Sequence, residues 1–326
     1  MRAILCHAFG PPSELKLEEA PNPKLGATGI RVDVHRAGLN FPDVLIVQGK
    51  YQVRPEFPFS PGAEVAGVVS EVGERTSGFA VGDRVMALCT TGGFAEQVVV
   101  HQGSAFKMAP NMSFDTAAAL PLTYGTTIHA LVDRGKLRAG ESLLVTGAGG
   151  GVGIAAVQLG KALGAMVIAA AGSPEKLAAA SAAGADHTID YTSENLADRV
   201  KAITNQLGAN VVYDAVGGDV FDAALRCIAW EGRLLVIGFA SGRIPEIPAN
   251  RLLLKGCSAV GVYWGSFAAR DPAANKRNFE RLFELYAAGK IDPKIGSTYD
   301  LADAARAIVD LENRQIIGKA VIRVRS

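Results

Sequence analysis

The sequence predicts an α/β protein with a central doubly wound parallel sheet and a second, mainly-β domain, on three observations. Its 326 residues suffice for about two domains of ordinary size. From residue 142 to residue 262, short apolar segments alternate with helical ones, as in a parallel sheet covered by helices on both faces. The residues before this stretch read instead as β-branched strands separated by turn clusters.

Composition and charge exclude several classes of function. Hydrophobic residues make up 49% of the chain, enough for a sizeable core, which rules out a mainly disordered protein. With 33 basic and 32 acidic residues, the net charge of +1 disfavours nucleic acid and anionic membranes as partners. No apolar run is long enough to span a bilayer, and the first residues lack the apolar core of a signal peptide. We therefore expect a cytoplasmic protein that acts on a small molecule.

The N-terminal part is predicted to consist mostly of strands. Its β-branched or alternating segments are Arg2–Cys6, Ile30–Ala37, Glu64–Val72, Arg84–Leu88 and Glu96–Val100. A short apolar helix is predicted at Val44–Val47, and the proline-rich segment Gln52–Gly62 is expected to be irregular. Ser113 then caps a helix start, Pro121 interrupts, and Tyr124–Arg134 is predicted to continue as a second helix.

The middle of the chain gives the regular alternation. Its predicted strands are Ser142–Thr146, Met166–Ala171, Thr188–Asp190, Val211–Ala215, Arg233–Gly238 and Cys257–Val262. The helices predicted between them are Val152–Leu163, Pro174–Ala183, Glu194–Gln206, Phe221–Ile228 and Ala249–Leu254. These strands are apolar throughout rather than alternating, which is typical of a buried parallel sheet.

The C-terminal part is predicted to return to the first domain. Helices are predicted at Ala273–Ala288 and Leu301–Asn313, and strands at Lys294–Tyr299 and Ala320–Val324. Because a doubly wound unit of six strands is already complete by residue 264, these elements are expected to join the N-terminal domain. The predicted division is therefore residues 1–124 and 265–326 for one domain and residues 125–264 for the other.

A glycine-rich turn lies at the first strand–helix junction of this series. In LLVTGAGGGVG (residues 143–153), Ala148, Gly150 and Gly153 occupy the small positions of an (A/G)-x-G-x-x-G turn. Such a turn lets the backbone approach a pyrophosphate, and the helix N-terminus behind it favours negative charge. The sequence therefore predicts a dinucleotide site, the alternative being a glycine-rich turn without a ligand.

The end of the second predicted strand favours NADP(H) over NAD(H). An NAD site expects an acidic residue there, whereas this chain has Gly172, Ser173 and Lys176, with Tyr191 just after the third strand. A hydroxyl and a cation suit a 2′-phosphate, which a carboxylate would repel. Alternatively, Ser173 merely starts the helix and Lys176 is solvated. Glu175 is expected to point away.

Other catalytic groups are not evident from the sequence. The four cysteines, Cys6, Cys89, Cys227 and Cys257, are too far apart for a structural zinc motif, and the histidines lack metal-ligand spacing. No Gly-x-Ser-x-Gly elbow occurs. A protein of this kind can leave the difficult step to a bound nicotinamide cofactor.

Segments spread along nearly the whole chain resemble one known family. They are GLNFPDVLIVQGKY, FPFSPGAEVAGVV, GDRVMAL, LPLTYGTTIHAL, LLVTGAGGGVGIAAVQLGKALGA, VIAAAGSPEKL, DAVGGDVFDAALRCIAWEGRLLVIGFASG, IPANRLLLK and GKAVI. The chain resembles the zinc-free, ζ-crystallin-like NADPH:quinone oxidoreductases of the medium-chain dehydrogenase/reductase superfamily. This resemblance implies a GroES-like catalytic domain built from both chain ends and a central Rossmann domain that binds NADP(H).

The sequence departs from the zinc alcohol dehydrogenases of the same superfamily. Where those enzymes place a cysteine and a histidine as ligands, this chain has Asn40 and Ala63, and the four-cysteine lobe is absent. Without Lewis-acid activation, alcohol oxidation is disfavoured and no metal site is expected. The remaining acceptors are already electrophilic: a quinone, or an alkene conjugated to a carbonyl.

The resemblance also implies roles for individual residues. Those expected to bind the pyrophosphate are Gly150, Gly151, Val152 and Gly153. Those expected at the 2′-phosphate are Gly172, Ser173, Lys176 and Tyr191. Further cofactor contacts are expected from Thr127, Val216, Gly238, Phe239, Ala240, Tyr263, Trp264 and Arg314. Asn40 or Tyr51 could hydrogen-bond the developing quinol oxygen, and Tyr51 or water could deliver the proton; alternatively Asp43 only caps the short helix and Tyr51 only packs.

Three functions are compatible with these features. The first is an NADPH-dependent, zinc-independent quinone reductase. The second is a reductase of α,β-unsaturated carbonyls or enoyl thioesters, and the third is a non-catalytic NADPH- or RNA-binding protein, which the near-zero net charge disfavours. The family is commonly dimeric through the edge of the sixth Rossmann strand, so a homodimer is expected.

Overall fold

The computed structural model describes residues 1–325. Its strands are β1 (Arg2–Leu5), β2 (Lys16–Glu19), β3 (Gly29–Leu39), β4 (Glu64–Val72), β5 (Arg84–Leu88), β6 (Gln97–His101), β7 (Ala105–Lys107), β8 (Ser142–Thr146), β9 (Met166–Ala171), β10 (His187–Asp190), β11 (Ala209–Asp214), β12 (Ile228–Val236), β13 (Ser258–Gly261), β14 (Ile295–Asp300) and β15 (Lys319–Arg323). Its α-helices are α1 (Phe41–Val47), α2 (Phe114–Ala119), α3 (Pro121–Ile128), α4 (Gly151–Ala162), α5 (Pro174–Ala182), α6 (Leu196–Ile203), α7 (Gly218–Arg226), α8 (Ala249–Lys255), α9 (Trp264–Arg270), α10 (Pro272–Ala287) and α11 (Ala304–Glu312).

The chain divides into two compact units. The first consists of residues 1–122 together with the C-terminal residues from 293 on, and the second of residues 123–292. The predicted division at 264/265 differs from this one because α9 and α10 pack within the second unit. The indole N–H of Trp264 donates to Asn275 Oδ1 over 3.0 Å, and Asn278 Nδ2 donates to Asp133 Oδ2 over 2.8 Å. Phe279 is buried beside them.

A parallel sheet of six strands forms the centre of the second unit. Its order is β10-β9-β8-β11-β12-β13, and every neighbouring pair is parallel. Numbered from β8, this is the 3-2-1-4-5-6 order of a Rossmann fold, so the predicted doubly wound sheet is confirmed. The strands Ser142–Thr146 and Met166–Ala171 have the bounds that their apolar runs predicted. β12 begins earlier than expected, because a bulge lets Ile228 pair with Ala209 and Arg233 with Val211.

The first unit is mainly β and contains both chain ends, as predicted. Its main sheet has the order β14-β15-β3-β4-β5-β7, with β6 paired to β3, and β1 pairs separately with β2. β15 lies antiparallel to β3, so the C-terminal strand completes the sheet begun by the N-terminal residues. The apolar side chains of these strands form one core together with α1 and α11.

Several short elements differ from the sequence prediction. The strand at Lys16–Glu19 was missed because its sequence, KLEE, is almost entirely charged and mostly exposed. The helix predicted at Tyr124–Arg134 instead begins at Pro121, since proline suits the first turn, and changes to a π-helical turn at His129–Arg134. The strand Ala105–Lys107 and the helix Trp264–Arg270 were also not predicted.

A buried polar cluster joins four segments of the first unit. Lys319 Nζ, on β15, lies 2.6 Å from Glu64 Oε1 on β4 and donates to Asn40 Oδ1 over 2.6 Å and to the Leu39 carbonyl over 2.7 Å. Glu64 also accepts from Asn40 Nδ2 and from the Leu122 backbone N–H. Lys319 and Glu64 are 4% and 0% exposed, so each charge depends on the other for compensation.

Replacing Lys319 by methionine should strongly destabilise the first unit. The substitution leaves the fully buried Glu64 carboxylate without its cation, which we expect to lower the free energy of unfolding by about 3–5 kcal/mol. The double variant Lys319→Met/Glu64→Gln should lose less, because no uncompensated charge remains. Urea denaturation followed by circular dichroism measures both.

The exposed Lys276, on α10 of the other unit, provides the control. Lys276→Met should change the free energy of unfolding by no more than about 0.5 kcal/mol. Equal losses in the single and double Lys319 variants would contradict the proposed charge compensation.

Candidate cofactor-binding site

Folding alone explains two glycines of the turn between β8 and α4. Gly147 has a φ of +65°, the left-handed region that favours glycine. At Gly153, a Cβ atom would overlap the Gly147 carbonyl oxygen and lie 2.7 Å from the Ala148 Cα. Close packing of the helix on the turn therefore requires glycine at 153, as the sequence motif predicted.

Gly150 is different, because neither its backbone nor its packing requires glycine. Its φ is −87°, and the nearest atom to an added Cβ would be the Gly147 carbonyl oxygen at 3.6 Å. Gly150 is the N-cap of the 12-residue helix α4, and it supplies no side-chain cap. The N–H groups of the first helical turn thus face a space without a Cβ atom, an arrangement that suits a bound pyrophosphate.

The predicted 2′-phosphate residues lie together beside this turn. An added Cβ at Gly172 would be 3.1 Å from Tyr191 Cε2 and 3.4 Å from its hydroxyl oxygen. At Gly149, an added Cβ would be 2.5 Å from Lys176 Cβ, so the first carbon of the Lys176 side chain packs against the glycine turn. Ser173 is the N-cap of α5 and accepts from the Lys176 N–H.

Glu175 stays close to this group rather than pointing away. Its own backbone N–H and the Ser173 side chain hydrogen-bond the carboxylate and lower its pKa. Glu175 is exposed, so solvent screens its charge. The expectation for Glu175 is therefore corrected, and the structure adds one carboxylate near the predicted phosphate region.

The segments that follow β11 and β12 also meet at the carboxyl edge of the sheet, beside the glycine turn. Val216 Cγ2 would be 3.0 Å from an added Cβ at Gly147, which places Val216 against the glycine turn. The Ala240 N–H donates to the Ala215 carbonyl over 3.1 Å. Phe239 Cδ1 lies 3.1 Å from an added Cβ at Gly217, and Gly238 precedes this segment. The predicted contact residues of β11 and β12 therefore form one group.

Two predicted cofactor contacts are committed to packing within the second unit. Thr127 is fully buried, donates to the Thr123 carbonyl over 2.7 Å, and shares a 2.9 Å hydrogen bond with the Tyr213 hydroxyl. Trp264 is buried against Gly125, and its indole N–H is bonded to Asn275. These hydrogen bonds explain both side chains without a ligand, whereas the neighbouring Tyr263 is exposed.

The three other predicted site residues belong to the first unit. Asn40 is buried: its amide nitrogen donates to Glu64 over 2.7 Å and to the Gly38 carbonyl over 3.3 Å, while its oxygen accepts from Lys319. These three bonds fix the orientation of the Asn40 amide within the buried cluster. Tyr51 is partly buried against the core, and Arg314 has a left-handed φ of +59°.

Asp43 caps the short helix, which is the structural alternative considered from the sequence. It accepts from the backbone N–H groups of Asn40 and Gly62. Burial raises the pKa of its carboxyl to about 7. Cys89 donates from Sγ to the Gly62 carbonyl over 3.3 Å, and burial also raises the pKa of this thiol.

Sequence reasoning missed the pairing of Glu64 with Lys319. Nothing in the segments PGAE and GKAV indicates a partner for Glu64 or Lys319. The cluster also joins positions that are distant in the sequence, since Lys319 and its partner Asn40 are 279 positions apart.

Across residues 1–325, no cluster of three or more His, Cys, Asp or Glu is arranged to bind a metal ion. In the same residues, no helix is long and apolar enough to cross a membrane.

Comparisons with known proteins agree with this architecture. Residues 26–110 match the alcohol dehydrogenase GroES-like domain, and residues 151–285 match the zinc-binding dehydrogenase domain. The quinone oxidoreductase-like protein 2 homolog of Nematostella vectensis is 42% identical over 99% of this chain and 89% of its own length. The quinone oxidoreductase of Pseudomonas aeruginosa is 36% identical over 97% of each chain.

Solved structures show the same relationship. A quinone oxidoreductase from Pseudomonas syringae has a TM-score of 0.92 and 34% identity over 99% of both chains. The Escherichia coli quinone oxidoreductase, solved in complex with NADPH, has a TM-score of 0.92 and 30% identity over 99% of this chain and 100% of its own. With this agreement in sequence, domains and fold, the chain belongs to the quinone oxidoreductase family of the medium-chain dehydrogenase/reductase superfamily.

Proposed function

We propose that this protein is an NADPH-dependent, zinc-independent oxidoreductase that reduces a quinone. The observation that supports NADPH binding most is the turn at Gly150, where α4 begins without a side-chain cap and glycine leaves room for a pyrophosphate. When bound, NADPH supplies a hydride. The Escherichia coli relative, whose structure was solved with NADPH, supports the choice of cofactor.

The protein's own residues would bind and orient that cofactor. The N–H groups at 151–153 would receive the pyrophosphate at the start of α4. Ser173 and Lys176 would hold the 2′-phosphate, with Tyr191 beside it, and the carboxyl end of β9 presents no acidic residue to a ribose. Val216 and the segment 238–240 would line the nicotinamide half.

Other predicted contacts keep different roles in this proposal. Thr127 and Trp264 would act through packing, since their polar atoms are already bonded inside the unit. Tyr263 and Arg314 remain proposed cofactor contacts. Tyr51 remains the proposed donor to a developing quinol oxygen, and Asn40 would position the cluster around Lys319.

The matched zinc-binding dehydrogenase model implies a zinc ion, and the residues of this chain do not fit one. By the resemblance, the two positions that correspond to zinc ligands in alcohol dehydrogenases are Asn40 and Ala63. Alanine has no donor atom, and the Asn40 oxygen already accepts from the Lys319 ammonium. We therefore propose chemistry without a metal, which needs an acceptor that is electrophilic by itself.

A homodimer is proposed through the open edge of the parallel sheet. In the part of the chain that the structure describes, β13 pairs with β12 alone, so its outer edge is available to a second copy. Large apolar side chains are exposed nearby: Trp230 (69%), Leu253 (79%) and Leu254 (73%). Trp230 lies 3.6 Å from an added Cβ at Gly256, just before β13.

The function is tested by following NADPH loss with purified, metal-free protein. We expect oxidation when a quinone is added, slower oxidation with a conjugated enone, and little with NADH and the quinone. Turnover of the enone alone would move the assignment to alkene reduction. Binding of NADPH without turnover of either acceptor would instead favour the non-catalytic function.

Lys176→Ala should weaken NADPH binding selectively. Alanine keeps the Cβ that packs on Gly149 but removes the cation, and a hydrogen bond to a charged group contributes about 1.5–3 kcal/mol, so KM for NADPH should rise about 10- to 100-fold. KM for NADH should not change, and Lys276→Ala serves as the matched surface control. Equal effects on the two cofactors would remove Lys176 from the phosphate site.

Charge placed at the β13 edge should separate the dimer. Leu253→Glu buries a carboxylate in the proposed contact, so light scattering coupled to gel filtration should report a monomer. Leu207→Glu, at a leucine that is 77% exposed elsewhere on the unit, should leave the mass unchanged. A monomeric wild type would contradict the proposed dimer.

A further inference from the structure

Two turns at the carboxyl edge of the sheet are joined by hydrogen bonds. The turn after β11 supplies the carbonyls of Ala215 and Val216, which accept from the N–H groups of Ala240 and Ser241 over 3.1 and 2.8 Å. In the opposite direction, the Gly218 N–H donates to the Arg243 carbonyl over 3.1 Å. The segment 238–243 after β12 is thus attached to the turn that starts α7.

Glycines allow this close approach. Gly217 and Gly218 have φ values of +71° and +56°, both in the left-handed region. An added Cβ at Gly217 would be 2.9 Å from the Arg243 carbonyl oxygen, and one at Gly218 would be 2.8 Å from Ser241 Oγ. Both the backbone conformation and the space therefore require glycine where the two turns meet.

A charged contact also joins the segment 238–243 to α7. The Arg243 Nη2 atom donates to Asp219 Oδ1 over 2.8 Å and to Asp222 Oδ2 over 2.6 Å, and both carboxylates belong to α7. The contact is exposed to solvent, so its energy is modest and depends on salt. Among the described residues, these are the ion pairs that join the segment 238–243 to α7.

We infer that Arg243 is a positioning residue for cofactor binding. Its bonds to Asp219 and Asp222 fasten the segment 238–243 to α7, so that Val216 and the neighbouring Phe239 and Ala240 form a surface already shaped before the cofactor arrives. A surface shaped in advance avoids the entropic cost of ordering a loop on binding. The inference that this surface receives NADPH rests on the proposed function, whereas the fastening itself does not.

Two measurements separate these parts. Hydrogen exchange on the protein without cofactor reports the amides of Ala240 and Ser241, which should exchange faster in Arg243→Ala. Stopped-flow fluorescence should show NADPH leaving about three- to five-fold faster at low salt, the size expected of an exposed ion pair. At high salt the wild type should approach the variant.

A charge exchange and a control complete the experiment. Arg243→Asp should loosen the segment further, and adding Asp222→Arg should restore most of its protection, because the pair is rebuilt with its charges reversed. Arg226→Ala removes an exposed arginine from α7, the helix that carries Asp219 and Asp222. This variant should change neither the hydrogen exchange nor the rate of NADPH dissociation.

Three results would overturn the inference. Unchanged exchange at Ala240 and Ser241 in Arg243→Ala would show that the charged contact does not fasten the segment. Faster exchange with unchanged NADPH dissociation would show that the fastening does not position the cofactor. If the wild type binds no NADPH while exchange still rises, the proposed function fails together with the positioning role, and the fastening alone stands.

Discussion

The parallel direction of the six strands of the second unit is the constraint on which the site depends. In such a sheet, every turn that follows a strand leaves from the same edge, and the order 3-2-1-4-5-6 places the first strand at the centre. The glycine turn after β8 therefore has the end of β9 on one side and the end of β11 on the other. Residues far apart in sequence, from Gly150 to Ala240, meet there because of strand direction and strand order.

The first unit depends on a different interaction, the buried pair of Lys319 and Glu64. A buried ion pair contributes little net stability compared with apolar packing, but it is costly to break, so it favours one arrangement of the segments that supply it. Here those segments include the C-terminal strand and the turn at Asn40. The pair thus explains why the chain end completes this unit, and why the Asn40 amide is fixed in one orientation.

Most of the fold could be predicted from the sequence where one physical signal dominates. Continuous apolar runs gave β8 and β9 with their observed bounds, because a strand buried on both faces leaves no alternative pattern. The signal fails at the charged edge strand Lys16–Glu19 and at the bulge that opens β12. It also fails for side-chain partners. The sequence indicates that Thr127 lies on a helix, but not that its hydroxyl is hydrogen-bonded to the Tyr213 hydroxyl.

The glycines of the β8–α4 turn distinguish between a turn that only folds and a turn that also binds. Gly147 and Gly153 are required by backbone conformation or by contact, so they would be present without any ligand. Gly150 meets neither requirement; glycine is an acceptable N-cap residue, and it also leaves open the space in front of the first N–H groups of α4. Open space in front of the free N–H groups at the start of α4 suits a ligand with negative charge. Together with the relative solved in complex with NADPH, this favours the cofactor site over the glycine-rich turn without a ligand.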